Sequence, residues 1–252
     1  MINPLFSIIT VCRNACDNVQ ATVASVDMQT CRLYEHIIID GASTDGTVEW
    51  LSKHPSSLRR VVSEPDKGIY DAMNKGLAQS NGDYVLYLNA GDTFHATNTL
   101  QLYADAIMDN DYPGVVYGQT DIVDSLRRRI GPRHLQAPAE LTLESFADGM
   151  VVCHQAFMVL RRITAGFDTR WHFSADYEWC IRCLQHSRCN VAIPAVTIDY
   201  LAEGVTTRHR RHSLWERFRI MSYYYGRWNT IRRHFGFVVR HLRRREGQPL
   251  NA

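Results

Sequence analysis

An α/β fold with an open, mainly parallel sheet flanked by helices is predicted by three features of the sequence. Apolar runs of strand length alternate with segments of helical period. The runs are continuous in Val, Ile and Leu, as in strands buried on both faces, and acidic or small polar residues follow each of them. The length of 252 residues, with 45% hydrophobic and 21% charged side chains, suits one large domain with at most an appendage. It excludes a disordered chain, a collagen-like repeat and a small disulfide scaffold.

The first apolar run covers residues 5–12. No charged segment precedes it and no small-residue cleavage pattern follows, so it reads as the first strand and not as a secretory leader. A helix at 15–28, a strand at 36–39, a helix at 47–53, a strand at 60–62, a helix at 69–79 and a strand at 84–88 come next. This succession implies βαβ units with right-handed crossovers. After Gly91 the rhythm changes. Residues 97–108 read as helix, and residues 114–119 with a second short strand through Ile122 as a hairpin-like addition to the sheet. Residues 127–138, with two prolines and three consecutive arginines, read as a loop. A strand at 157–160, a helix at 176–186 and a strand at 191–196 complete the body.

The seven cysteines are odd in number and scattered through apolar stretches, as reduced thiols are. Cys180 and Cys183 form a CxxC inside an apolar-periodic segment without a second pair, which reads as two buried thiols and not as a zinc site. No run is long enough to cross a bilayer.

In open α/β sheets ligands bind beyond the carboxyl ends of the strands. Here those ends carry residues 10–14, then Asp40, then Glu64, Pro65 and Asp66, then Asn89, Ala90, Gly91 and Asp92. No GxGxxG follows a strand, and GASTDG lacks the GK[ST] ending of a phosphate-binding loop, which excludes both nucleotide motifs. The first strand–helix turn has no glycine, so a metal ion is expected to meet any phosphates.

The segments SIITVCRN, IIIDGASTDGT, SEPDKGIYDAMNKG, YVLYLNAGD, HQAFMVLR, SADYEW and EGVTT together resemble family 2 glycosyltransferases of the GT-A type. Within that family they are most similar to the short bacterial exopolysaccharide enzymes of the colanic acid class. The resemblance spans about residues 3–208 and implies a GT-A-like sheet. It also implies inverting transfer of a sugar, from a UDP-sugar by preference or a GDP-sugar, to a hydroxyl of a glycan or lipid-linked glycan in surface polysaccharide synthesis. The donor nucleotide is then held by Thr10, Arg13, Asn14, Asp40, Asp66, Asp71, Lys75 and Asn89, with Asp40 and Asp71 on the base. The metal-binding signature corresponds to Asn89–Asp92, of which Asp92 alone keeps a carboxylate for Mn2+ or Mg2+. The acceptor-activating base corresponds to Asp176, with Glu178 in reserve, since a carboxylate can take the hydroxyl proton. His154 and Gln155 match a pair that faces the sugar or acceptor; His209 and His212 are weaker candidate ligands.

Read without the resemblance, Asp40 and Asp71 also suit a turn and a helix start, and His154 suits a satisfied core histidine. A sugar nucleotidyltransferase is a second enzyme reading. It needs a Gly- and Arg-rich first loop, and residues 10–16 offer only Arg13. A catalytically inactive binding protein is a third.

Net charge divides sharply along the chain. Residues 206–252 hold twelve arginines, no lysine and two acids, a net of +10, against −8 for the rest. The expected organisation is a catalytic body at 1–207 and a basic helical extension at 208–252. Arginines and aromatics at spacings of three and four over 213–245 suit an interfacial helix at the anionic inner face of the cytoplasmic membrane. They equally suit helices packed on the body. The pattern argues against a nucleic acid partner, which leaves the acidic rim unexplained.

Overall fold

Residues 4–202 and 210–234 are described by the computed structural model. Strand β1 (Phe6–Cys12) is buried along its whole length, because β2 (Tyr34–Asp40) and β4 (Tyr84–Tyr87) pair with it in parallel on either side and helices cover both faces. Its side chains alternate between two cores. Ile9 and Val11 face α3 (Ile69–Ala78) and α5 (Ala175–His186), whereas Phe6 and Ile8 face α1 (Cys16–Asp27) and α4 (Thr99–Asp109). A burial requirement on both faces explains the unbroken apolar run. The short helix α2 (Thr47–Lys53) closes a third cluster with α1 through Leu51, Val19 and Val23. Strand β3 (Arg59–Ser63) pairs with β2 alone and is mostly exposed, as an edge strand is.

The remaining strands are β5 (Thr93–Phe94), β6 (Val115–Val123), β7 (Arg129–Pro132), β8 (Phe157–Leu160) and β9 (Asn190–Leu201). The sheet order is β3-β2-β1-β4-β8-β6-β9-β5, with β7 added to β6. The half made of β3, β2, β1 and β4 is parallel, as the alternation of strands and helices predicts. The other half is mixed: β8 runs antiparallel to β4 and β6, β5 antiparallel to β9, and β6 parallel to β9. The sheet as a whole is therefore mixed, and its longer pairings, β1 with β2, β2 with β3 and β6 with β9, are the parallel ones.

Three local expectations are corrected. Residues 115–123 are one strand, not two, because β9 pairs along the whole of it. Its hairpin partner is β7, inside the segment read as a loop. The turn between them is built by Asp124, whose carboxylate accepts the backbone N–H groups of Leu126 and Arg128 at 2.9 Å each. β7 is largely exposed and owes its extended form to pairing, not to an apolar pattern. Strand β9 continues past 196 to Leu201, which carries residues 200 and 201 into the cleft described below.

The described part of the basic extension, residues 210–234, packs on the body. Helix α6 (Arg210–Tyr225) buries Ile220 and Met221 in the core that contains α5, and a further helical segment at 227–234 follows Gly226. Glu216 accepts the backbone N–H groups of His172 and Phe173 at 2.9 and 2.8 Å, and Tyr225 donates its hydroxyl to Leu143 O at 2.8 Å. The helix that follows the expected boundary at 207 thus shares a core with the body. His209 and the extension beyond 234 lie outside the described residues. All seven cysteines are free, with Cys180 and Cys183 buried on α5. No helix among the described residues is long and apolar enough to cross a membrane.

Candidate active site

A cleft of about 460 Å³ opens beyond the carboxyl ends of β1 and β4. Its walls come from residues 11–13, the first turn of α3, residues 89–92, residues 153–155, the start of α5 and one arginine of α6.

Next to Arg13, which lines the cleft, several of the residues expected to hold the nucleotide gather around Gly41, although Asp66, Asp71 and Lys75 are not themselves among the lining residues. A Cβ on Gly41 would lie 2.2 Å from Asp66 Oδ2 and 3.3 Å from Arg13 Cδ, so both side chains converge over a bare backbone. Asp66 also accepts the N–H of Gly68 at 2.8 Å, and Asp71 accepts that of Lys67 at 3.0 Å, which satisfies free donors at the start of α3. Lys75 sits 2.8 Å from Glu64, donates to Pro65 O at 2.8 Å and lies 3.7 Å from Asp71.

Three expected donor ligands are spent on the protein itself. Asp40 is fully buried, and its oxygens take the Ser43 N–H at 2.9 Å, the Ser63 hydroxyl at 2.7 Å and the Ser43 hydroxyl. Asn14, at φ +48°, ties the first loop to the second: its N–H donates to Ser43 Oγ at 2.7 Å and its Oδ1 accepts the Thr44 N–H at 2.9 Å. Thr10 points into the sheet, where its hydroxyl donates to Leu88 O at 2.8 Å and meets His36 Nε2 at 2.9 Å. Burial pushes His36 down to about 3, so that ring is neutral.

On the floor of the cleft, Gly91 at φ +104° turns the chain so that Asp92 points inward. Asp92 is buried. Its Oδ2 accepts from Gln155 Nε2 at 2.8 Å and its Oδ1 from the Leu201 N–H at 3.0 Å. Desolvation nevertheless pushes its carboxyl up to about 6. Asn89 lies beside it with Oδ1 buried and without a hydrogen-bond partner among the described residues. The trio His95, Asp121 and Asp199 also brings three ligand atoms within 4.8 Å of one another, but none of the three lines the cleft and Arg129 already grips Asp121.

At the opposite wall, Asp176 opens α5. Its Oδ1 accepts the Tyr70 hydroxyl at 3.1 Å, and its Oδ2 lies 3.3 Å from His154 Nδ1. Burial raises its carboxyl, but the hydrogen bond and charge of His154 and the charge of Arg217 outweigh that, and the net shift is downward. It is thus an ionised carboxylate in a largely dry place. Glu178, the reserve, does not line the cleft. Both its oxygens lie 2.8 Å from Arg182 Nε, and Oε1 takes the Tyr224 hydroxyl at 2.6 Å. His154 and Gln155 do line the cleft, each bound to one of its carboxylates. His212 is exposed, its ring 5.9 Å from that of Phe173.

Sequence reasoning missed Tyr70, Arg133 and Arg217, all of which line the cleft. Tyr70 adjoins Asp71 in the most specific motif, so the signal for it was present. Arg217 comes from α6, outside the resemblance, and nothing near it in sequence points to the cleft.

Residues 7–165 match the family model described as glycosyl transferase family 2. An uncharacterized glycosyltransferase of Mycobacterium tuberculosis is 32% identical over 215 residues, covering 83% of this chain and 79% of that one. A PGL/p-HBAD biosynthesis glycosyltransferase of Mycobacterium bovis is 31% identical over 207 residues, covering 80% and 75%. Among solved structures, that of S. aureus TarS residues 1–349 in complex with UDP superposes with a TM-score of 0.69 at 16% identity. It covers 86% of this chain, which spans 64% of that one's length, and the likeness is one of fold. The parallel half-sheet, the cleft at its carboxyl edge and these matches agree: the chain belongs to glycosyl transferase family 2.

Proposed function

We propose that this glycosyltransferase moves a sugar, with inversion, from a nucleoside diphosphate donor, UDP by preference, to a hydroxyl of a glycan or lipid-linked glycan. The observation that carries the reading is the ionised, largely buried Asp176 facing the same cleft as the buried Asp92. As the acceptor oxygen bonds to the anomeric carbon, its proton passes to Asp176, the anomeric carbon–oxygen bond to the diphosphate breaks, and the nucleoside diphosphate leaves. One base and one displacement invert the anomeric centre.

Asp92 fits a divalent cation. Its two hydrogen-bond partners are uncharged N–H donors, each oxygen keeps a lone pair, and the raised carboxyl marks a charge without a counter-charge in contact. Asp92 would hold Mn2+ or Mg2+, whose charge would offset that of the leaving diphosphate. Arg13 and Asp66 flank the base over Gly41, Asp71 and Lys75 form the rim beyond it, and the orphan Asn89 Oδ1 accepts a ribose hydroxyl. Asp40, Asn14 and Thr10 serve by shaping the loops that present these groups.

The acceptor reaches the enzyme at a membrane surface in this reading. Helix α6 and the segment after it expose Trp215 (63%), Tyr223 (80%) and Trp228 (84%) on the most basic part of the chain, and aromatic and arginine side chains together suit an anionic leaflet. The working site is then the inner, cytoplasmic face of the membrane.

The test is nucleoside diphosphate release from a panel of UDP- and GDP-sugars, with and without manganese, followed by NMR of the product's anomeric proton. Cation-dependent release with an inverted product is expected. A retained configuration sinks the single-displacement reading, and no release with any donor in the presence of cell-derived acceptor lipid sinks the enzyme.

A further inference from the structure

The two carboxylates of the cleft are held by consecutive residues. The 3-10 turn His154–Ala156 directs Gln155 to Asp92 and His154 to Asp176, so one step of backbone sets both groups. Within this pair the histidine has no nitrogen left for a substrate. Nε2 faces the amide nitrogen of Asn89 at 3.3 Å, and Nδ1 faces Asp176 Oδ2 at 3.3 Å. Both ring nitrogens thus face protein atoms, Nδ1 being the one on the side of the carboxylate. His154 is 8% exposed, and the ring is braced at both ends.

We infer that His154 is a positioning residue of the base: held by Asn89, it pins Oδ2 of Asp176 while Tyr70 pins Oδ1, and so orients the carboxylate toward the acceptor hydroxyl. This rests on Asp176 being the base. It departs from the sugar or acceptor contact that the family resemblance implies for this histidine, because both ring nitrogens are committed to protein atoms.

A second consequence concerns the proton. The titratable and charged groups that face Asp176 are Tyr70 from α3, His154 from the 3-10 turn and Arg217 from α6, with Arg133, Cys153, Cys180 and Tyr200 farther out. Burial acts to protonate the carboxyl, and His154 is the first of the opposing influences. Removing the ring therefore makes Asp176 harder to ionise.

The test uses the full chain labelled with 13C at the aspartate carboxyls, with the Asp176 resonance assigned by its loss in Asp176→Asn. In His154→Ala the Asp176 titration is expected to move to higher pH. In His154→Asn, whose amide nitrogen can stand near the lost Nδ1, it is expected to stay close to that of the unaltered protein. Calorimetry with UDP is expected to show donor affinity within about twofold in both variants, since an interaction confined to the base acts on the transition state. With the donor found by the release assay, kcat falls in His154→Ala, its acid limb moves up in pH, and His154→Asn restores it. An unmoved Asp176 titration in a folded His154→Ala overturns the inference, as does an effect confined to acceptor KM. Full turnover by Asp176→Asn overturns the base assignment itself, whatever His154 does.

Discussion

Asp92 lies buried on the cleft floor with only uncharged donors on its oxygens, a placement that costs stability and suits a cation. Its folded carboxyl, at about 6, stands above the ordinary value of 3.8, so the folded state holds that proton more tightly than the unfolded chain. Stability is therefore lost as pH rises from about 4 through about 6, by about 3 kcal/mol in all, at 1.36 kcal/mol for each tenfold change. Asp92→Asn should raise the melting temperature at pH 8 and change it little at pH 4, while abolishing cation-dependent turnover. A variant that melts lower at pH 8, or that keeps its manganese dependence, contradicts the assignment. For Asp176→Asn, kcat should drop by about 10²–10⁴ with UDP affinity retained, because a general base contributes in the transition state. Glu178→Gln should instead loosen α6, since its partners are Arg182 and Tyr224.

At the scale of the element, α6 is where the chain departs most from a body-plus-tail reading. Ile220 and Met221 are fully or almost fully buried against α5, while Glu216 caps the backbone of His172 and Phe173 at the mouth of the cleft. Ile220→Ala should cost about 2–5 kcal/mol of unfolding free energy, as a large-to-small change in a packed core does. A chain ending at residue 207 should aggregate, because it exposes the core face that α6 covers; light scattering of the purified fragment checks this. A soluble, cooperatively melting fragment contradicts it. Because α6 also supplies Arg217, loss of this helix removes a wall of the cleft as well as stability.

The whole molecule combines an acidic body with a basic C-terminal part that, among the described residues, exposes Trp215, Tyr223 and Trp228. In the proposed membrane reading, electrostatic attraction to anionic lipid would bring that part to a surface, at about 1 kcal/mol for each arginine that reaches it, and the indole rings would insert at the interface. The full chain should co-sediment with vesicles containing phosphatidylserine, less so at high salt. The triple variant Trp215→Ala, Tyr223→Ala, Trp228→Ala should bind more weakly without loss of fold, since these side chains are exposed. A folded chain that ignores such vesicles at low salt removes the membrane reading.

Much of this was legible in the chain itself. The parallel half-sheet follows from short-range signals: β1, β2 and β4 are apolar because each is covered on both faces, and the acids and glycines at their ends mark the rim where ligands bind. The family was legible too, in motifs that each fit within a dozen residues. What only the tertiary structure decided are the pairings across long stretches of chain. Tyr70 meets Asp176 across 106 positions and Gln155 meets Asp92 across 63, and neither partner's neighbours announce the other. The extended segment at 129–132 exists because β6 is there to pair with it, and Asp40 turns inward because Ser43 and Ser63 satisfy it. Local pattern determines what an element is, since burial and backbone geometry act residue by residue. Packing determines which side chains meet, because that depends on how the finished elements lie against one another, and the site of this enzyme is made of such meetings.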